Sequence, residues 1–153
     1  MNRSVSHDSF VIERDYPVAP AKVFNAFADL SAKVQWFGNA HEDPATVHEL
    51  DFREGGREFL RAQVPDGPLF TFDVLYQDIV DDERIVYSYA MTMDGQRISV
   101  SVATIELTPT GDGTHLVVTE QGAFLDGLDK NEMREHGTNE LLDMLGIYLK
   151  ATN

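Results

Sequence analysis

Apolar and polar positions alternate through the middle of the chain, which predicts β-strands that bury one face. Two successive strands each place their apolar positions on one side: Phe70, Phe72, Val74 and Tyr76, then Ile85, Tyr87, Tyr89 and Met91. The positions on the other side suit water: Thr71, Asp73, Gln77, Ser88 and Thr92. A sheet with one aromatic face must have that face covered by another layer.

Turn signals divide this region into segments joined by tight connections. Asp66-Gly67, Asp94-Gly95 and Gly111-Asp112-Gly113 are hairpin signals because glycine accepts a positive φ. Short connections of this kind favour sequential antiparallel pairing. We predict strands at Ser9–Tyr16, Thr46–Phe52, Arg57–Val64, Leu69–Ile79, Arg84–Met93, Arg97–Thr108 and Thr114–Gly122.

Three helical segments complete the pattern. The first begins at Pro20, whose missing N–H is tolerated in a first helical turn, and a short second one runs from Ser31 to about Trp36. The third is predicted from about Asn131 to Ala151, with an apolar stripe at Leu141, Leu142, Met144, Leu145, Tyr148 and Leu149. Close packing against the sheet or space for a ligand would explain Gly137 and Gly146 in this helix, and we favour packing.

The order of these elements predicts an α+β helix-grip fold, in which a curved antiparallel sheet wraps a long C-terminal helix and can enclose an apolar cavity. The chain has 153 residues and no internal repeat, low-complexity tract or linker. We therefore expect a single domain over residues 1–153.

Charge and composition narrow the range of partners. The chain carries 12 Lys and Arg against 26 Asp and Glu, a formal net charge of −14. Such acidity disfavours nucleic acids and anionic membranes, which need clustered cations. Cysteine is absent, which excludes disulfides and thiolate catalysis. The amino terminus has no apolar signal core and no segment approaches the roughly 20 apolar residues of a membrane span, so we expect a cytoplasmic protein.

Short motifs follow one another along nearly the whole chain: Arg14 with Tyr16, Ala19-Pro20, Val23-Phe24-Asn25-Ala26, Trp36-Phe37-Gly38, Phe52-Arg53-Glu54-Gly55-Gly56, Asp66-Gly67, Asp82-Glu83-Arg84-Ile85-Val86-Tyr87, Gly113-Thr114-His115-Leu116 and Gly122-Ala123-Phe124. In this order they resemble the START-like (SRPBCC) superfamily. More closely, the chain resembles bacterial homologues of the C-terminal domain of the activator of the ninety-kilodalton heat-shock chaperone's ATPase. Asn39 departs from the Gly-Pro or Gly-Lys that usually ends the aromatic motif.

The resemblance implies a β-α-α-β6-α helix-grip fold with a cavity between the sheet and the long helix. Relatives in the superfamily include lipid carriers, aromatic polyketide cyclases and plant hormone receptors, so the fold alone does not fix the function.

Aromatic density predicts the walls of a ligand cavity: Trp36, Phe37, Phe70, Phe72, Tyr87, Tyr89, Met91, Phe124, Leu141 and Leu145. A fully packed core is the competing explanation. Trp36 and Phe37 would either line the cavity or plug the joint between helices and sheet. The hydroxyls of Tyr76, Tyr87 and Tyr89 would either orient a ligand or find partners in the core, and the second is commoner for buried tyrosine.

Alternation with Leu116 and Val118 places Glu120 on the inner face. A carboxylate in an apolar cavity has a raised pKa and can act as a general acid or base, which makes Glu120 the candidate catalytic residue. The alternative, which we favour, is a structural ion pair with Arg14 or with an arginine on a neighbouring strand.

No other catalytic pattern is present. His41, His48, His115 and His136 do not have metal-ligand spacing, and Ser99 and Ser101 lack the Gly-x-Ser-x-Gly elbow of a hydrolase. We therefore predict neither a metal nor a cofactor.

These observations predict binding of a small hydrophobic or aromatic molecule in an internal cavity, with cyclase-like chemistry if the protein is an enzyme. One alternative is a co-chaperone-like interaction module, which would show an exposed apolar patch and little internal volume. The other is a regulatory or structural homodimer formed through an edge strand or the C-terminal helix.

Overall fold

A computed structural model describes residues 3–37 and 43–152 of the chain. Within this part the chain forms seven strands and three helices, which follow the predicted order. They are β1 (Val5–Tyr16), α1 (Pro20–Ala28), α2 (Leu30–Lys33), β2 (Val47–Leu50), β3 (Arg57–Gln63), β4 (Leu69–Val80), β5 (Arg84–Met93), β6 (Gln96–Thr110), β7 (Gly113–Leu125) and α3 (Asn131–Ala151).

The seven strands form one antiparallel sheet in the order β1-β7-β6-β5-β4-β3-β2. From β2 to β7 each strand pairs with its successor, whereas β1 pairs with β7. The single long helix α3 follows the last strand. This arrangement confirms the predicted α+β helix-grip fold.

The predicted bounds of several strands and of α2 differ from the structure, and the local structure explains three of these differences. β1 begins at Val5 rather than Ser9 because β7 extends to Leu125, which lies opposite Val5. β2 has only four residues, since its paired register with β3 ends after four positions. α2 ends at Lys33, and Trp36 lies in the turn that follows, where its backbone N–H donates to the Lys33 oxygen at 3.2 Å.

Two turns need glycine for different reasons. Asp94 and Gly95 both have positive φ, 52° and 82°, as a two-residue hairpin of type I′ requires. Gly56 is needed for close approach, because an added Cβ would lie 2.1 Å from the Asp51 oxygen. This second turn leads the chain into β3, which carries Glu58.

The helices cover the inner face of the sheet unequally. α1 buries Val23, Phe24 and Phe27. α3 buries Leu142, Leu145 and Leu149, all in its second half, while none of residues 131–141 is buried. The first half of α3 therefore spans the sheet without filling the space beneath it. No helix in the described ranges is long and apolar enough to cross a membrane.

Tyr16 fixes the second half of α3 to β1. Its hydroxyl donates a hydrogen bond to the Leu142 carbonyl oxygen at 2.7 Å. An added Cβ at Gly146 would lie 3.2 Å from the Tyr16 ring, so this glycine allows the helix to approach the strand closely. Packing therefore explains Gly146, as predicted.

An exposed cluster on β1 and β7 makes stability depend on pH. The two ring nitrogens of His115 lie 2.8 Å from Asp15 Oδ1 and 2.9 Å from Glu13 Oε1. The hydrogen bond to Asp15, followed by the one to Glu13, raises the pKa of His115 above its ordinary value of 6.5. A raised folded-state pKa stabilises the fold fully below the unfolded value, and this contribution is lost as the pH rises through the folded value.

We expect wild type to exceed His115→Gln in Tm most clearly below the ordinary pKa of 6.5, and this advantage to shrink as the pH rises above the raised folded-state pKa, because the imidazole ring is then neutral in both states. Thermal unfolding of both proteins across this range measures the difference. An advantage that does not change with pH would contradict this role.

Candidate functional site

A cavity of about 890 Å³ lies between the inner face of the sheet and the first half of α3. Its walls come from β3 to β7, from α1, from the segment around α2 and from α3. Exposed wall residues on the β3–β4 connection and on α3 mark the side that opens to solvent: Val64, Pro65 and Glu140. None of the side chains on the half of α3 above the cavity is buried, so this half does not fill the space.

Eight of the ten predicted wall residues line this cavity: Trp36, Phe37, Phe70, Phe72, Tyr87, Tyr89, Met91 and Leu141. Phe124 and Leu145 are buried but are not among the lining residues. Leu145 lies on the second half of α3, where the helix closes against the rest of the core. The inner face of the sheet is therefore only partly filled by its own side chains.

Trp36 fulfils both of the roles considered for it. Its indole N–H donates to the Ala26 oxygen at 3.0 Å, and its ring packs edge-to-face with Phe27 and Phe37. The same ring lines the cavity. Because the only donor of Trp36 is already used, this residue offers a ligand an apolar surface and no hydrogen bond.

The three inward tyrosines differ in their partners. Tyr76 donates to Glu58 Oε1 at 2.5 Å, and Tyr89 donates to Glu120 Oε1. The Tyr87 hydroxyl has no hydrogen-bond partner among residues 3–37 and 43–152. Tyr76 and Tyr89 therefore behave as satisfied core tyrosines, whereas Tyr87 brings a free hydroxyl to the cavity wall.

Glu120 is buried on the inner face, as strand alternation predicts, and it lines the cavity. Burial raises the pKa of Glu120 to about 7, although the Tyr89 hydrogen bond and the Arg134 charge act in the opposite direction. Its second oxygen, Oε2, has no hydrogen-bond partner among the described residues. This carboxyl group can therefore exchange a proton near neutral pH.

The ion pair predicted for Arg14 exists but does not involve Glu120. Arg14 Nη2 lies 2.8 Å from Asn139 Oδ1 and 3.2 Å from Asp143 Oδ1, both on α3. Arg14 therefore holds the outer side of α3 against β1. The cation near Glu120 is Arg134, which lies on α3 and not on a neighbouring strand.

Arg134 connects the start of α3 to the sheet at the edge of the cavity. Its Nε lies 3.0 Å from Oδ2 of buried Asp129, although the two groups are not aligned as a hydrogen bond. Its Nη1 donates to the Met91 sulfur on β5 at 2.8 Å. The sequence motifs did not single out Arg134, because its partners lie on separate elements.

A second carboxylate, Glu58, lines the cavity in a fully bonded network. Its Oε1 accepts hydrogen bonds from Lys33 Nζ at 2.7 Å and from the Tyr76 hydroxyl, and its Oε2 lies 2.6 Å from His48 Nε2. Burial raises the pKa of Glu58, but the Lys33 charge and the three hydrogen bonds outweigh burial and lower that pKa to about 2. Glu58 is thus a structural anion.

Sequence reasoning missed this network, although one signal for it was present. Glu58 alternates with Leu60 and Ala62 at inward positions of β3, as Glu120 does on β7. The Lys33 ammonium also lies 4.7 Å from the centre of the Phe37 ring, which adds a cation–π contact. The spacing of these residues along the chain does not reveal that they meet.

No group of three or more metal-ligating side chains occurs in the described ranges. His48 and His115 each pair with carboxylates, and His136 lies 3.0 Å from Glu140 on the surface of α3. His41, like Gly38 and Asn39 of the aromatic motif, lies outside the described residues. The absence of a metal and of a cofactor stays a prediction.

Gly137 and Gly146 provide a matched pair for the origin of the cavity. An added Cβ at Gly137 meets no other atom of the described residues within 4 Å, so the packing predicted for this glycine was wrong, whereas one at Gly146 meets the Tyr16 ring. Tyr16 cannot easily yield, because its hydroxyl is bonded to Leu142.

We expect Gly137→Ala to stabilise the protein by about 0.5–1 kcal/mol through helix propensity, and Gly146→Ala to give a smaller gain or a loss. Urea unfolding of both variants measures this difference. An equal gain in the two variants would show that the space at Gly137 is not special.

Comparison with known proteins places the chain in a family. The chain is 48% identical to the Mll3558 protein from Rhizobium loti, with a TM-score of 0.88. The match covers 95% of this chain and 99% of the Mll3558 chain. A protein from Rhizobium leguminosarum is 40% identical over 99% of both chains, with a TM-score of 0.93.

DynU16, described as a protein in the dynemicin biosynthetic locus, shares the fold at a TM-score of 0.69 and 18% identity, over 95% of this chain and 48% of its own. No curated protein matches the chain. Residues 17–150 match the family described as Activator of Hsp90 ATPase homolog 1-like protein. The chain therefore belongs to the Activator of Hsp90 ATPase homolog 1-like family.

Proposed function

We propose that the chain binds a small, largely apolar or aromatic molecule in the cavity beneath α3. The observation that carries this proposal is the unfilled volume of about 890 Å³. It lies within the range of about 300–1,000 Å³ that is typical of sites for small molecules. Its walls are mostly aromatic and aliphatic, which suits a ligand whose main contribution to binding is buried apolar area.

The polar groups of the wall favour a neutral ligand. Glu58 is ionised, paired with Lys33 and fully bonded, so it offers a ligand no free donor. The formal net charge of −14 disfavours anions. The Tyr87 hydroxyl and Glu120 Oε2 have no hydrogen-bond partners within the described ranges, so they can bond to a hydroxyl or carbonyl group of the ligand.

Cyclase-like chemistry is the enzymatic form of this proposal. An enclosed apolar site can hold a flexible molecule in one reactive conformation and thereby lower the entropic part of the barrier. The aromatic walls of the cavity support the choice of aromatic compounds as the first ligands to test.

The internal volume also favours ligand binding over the co-chaperone-like interaction module. A co-chaperone-like interaction module working through its surface was expected to contain little free volume, and this chain contains a large cavity. The chaperone partner and the homodimer stay predictions.

Binding of N-phenyl-1-naphthylamine, a neutral fluorescent aromatic amine, tests the proposal. We expect saturable binding with one probe per chain. Gly137→Phe, which places a ring in the open space of the cavity, should weaken binding about tenfold or more, or by about 1.4 kcal/mol.

Ile147→Phe is the matched control, because it places the same ring on the exposed side of the same helix. It should leave the affinity unchanged. Non-saturable binding, or an equal loss in both variants, would count against a ligand site in the cavity.

A further inference from the structure

Two polar residues of the cavity wall lie in one row across the sheet. Tyr87 on β5 is opposite Ala103 on β6, and Ala103 is opposite Glu120 on β7. Two strand spacings separate Tyr87 from Glu120, about 10 Å between backbones, so one small ligand can contact both side chains. Burial, and after it the Glu120 charge, raises the pKa of Tyr87, which is consistent with this proximity.

The surroundings of Glu120 leave one of its oxygens for a ligand. Tyr89 donates to Oε1 and so fixes the carboxyl group, while Oε2 has no partner among the described residues. In the same cavity both oxygens of Glu58 are bonded to protein groups. Of these two buried carboxylates, only Glu120 can therefore accept a proton from a bound molecule.

We propose that Glu120 and Tyr87 form a proton-transfer site for a neutral ketone that has an acidic C–H next to its carbonyl group. The proposal rests on the proposed function, since the ketone must first bind in the cavity. The Tyr87 hydroxyl donates to the carbonyl oxygen, and the Glu120 carboxylate faces the C–H group.

The step balances without a cofactor. The C–H bond breaks and its proton passes to Glu120 Oε2, while the electron pair forms the C=C bond of an enolate. The enolate oxygen keeps the hydrogen bond from Tyr87, which stabilises the developing charge. Return of a proton from Glu120 to carbon restores the ketone, and exchange of the carboxyl proton with solvent replaces the hydrogen that was removed.

The charged and titratable groups that face Glu120 come from three elements. β5 contributes Tyr89 and Tyr87, α3 contributes Arg134, and the connection after β7 contributes Asp129. The tyrosines stay neutral near pH 7, because burial raises the pKa of each. Burial also raises the pKa of Glu120 to about 7, so both forms needed for proton transfer are present at neutral pH.

Hydrogen–deuterium exchange of 2-tetralone in D₂O, followed by proton NMR, tests the proposal. We expect the protein to accelerate exchange at C1, with a rate that saturates as the 2-tetralone concentration rises. The Glu120→Gln variant keeps the shape of the side chain but lacks the base, so its rate should be about 10²-fold lower. The rate at low ketone concentration, which reports the free protein, should rise with pH through about 7, as Glu120 ionises. Tyr87→Phe should lower the rate and leave this pH profile in place.

Glu106→Gln is the control, because it makes the same change at an exposed position of β6 and should not alter exchange. Thermal unfolding of each variant checks that it is folded. The pH profile is measured on the wild-type protein, so it tests the proposal even if a variant does not fold. Exchange no faster than with Glu120→Gln would overturn the proposal. A titration of 2-tetralone binding on the same samples would then show whether the cavity binds the ketone even though proton transfer does not occur.

Discussion

The burial of side chains from only the second half of α3 against the sheet is the constraint on which the site depends. The Tyr16 hydroxyl bonds to the Leu142 carbonyl, and Gly146 allows the helix to approach the Tyr16 ring. The buried leucines of α3 all belong to this half. Earlier in the helix, Arg134 reaches β5 from the edge of the cavity, so the helix spans the aromatic face rather than packing into it.

An unfilled volume in a core has a cost, because its lining atoms lose dispersion contacts. At one position the sequence keeps a residue that lowers stability, although a simple substitution would raise it. Gly137 lies beside the open space in the middle of a helix, where alanine would be more stable. Positions that sacrifice stability in this way are expected where function needs the space.

The two buried carboxylates show how partners decide the state of one chemical group. Glu58 has an ammonium group and three hydrogen bonds, which outweigh the cost of burying its charge. Glu120 has one hydrogen bond and a more distant cation, which do not. One carboxylate is therefore a fixed structural anion and the other can gain or lose a proton at neutral pH.

Much of the fold could be predicted from sequence, because alternation and turn chemistry are local. The bounds of α3 and β5 were predicted correctly. Alternation along β5 and β7 also predicted which side chains face inward, and these include Glu120 and part of the cavity wall. Pairings between separate elements could not be predicted. Lys33 and Glu58 meet through the packing of α2 against β3, and Glu120 bonds to Tyr89 rather than to an arginine.

The size of the cavity could not be predicted either. The apolar stripe of α3 does not reveal that only its second half is buried, because that depends on how the whole helix crosses the sheet. The same limit explains why Leu141 lines the cavity while Leu145 is buried away from it.

The most direct test is a pH titration of the Glu120 side-chain carboxyl carbon by ¹³C NMR, with Glu120→Gln to assign the signal. We expect a midpoint near pH 7, well above the ordinary value of 4.5, and a further rise when N-phenyl-1-naphthylamine is bound, because the probe displaces water from the carboxyl group. A midpoint near 4.5 that does not move with the probe would contradict the account, since Glu120 would then be solvated and remote from any ligand.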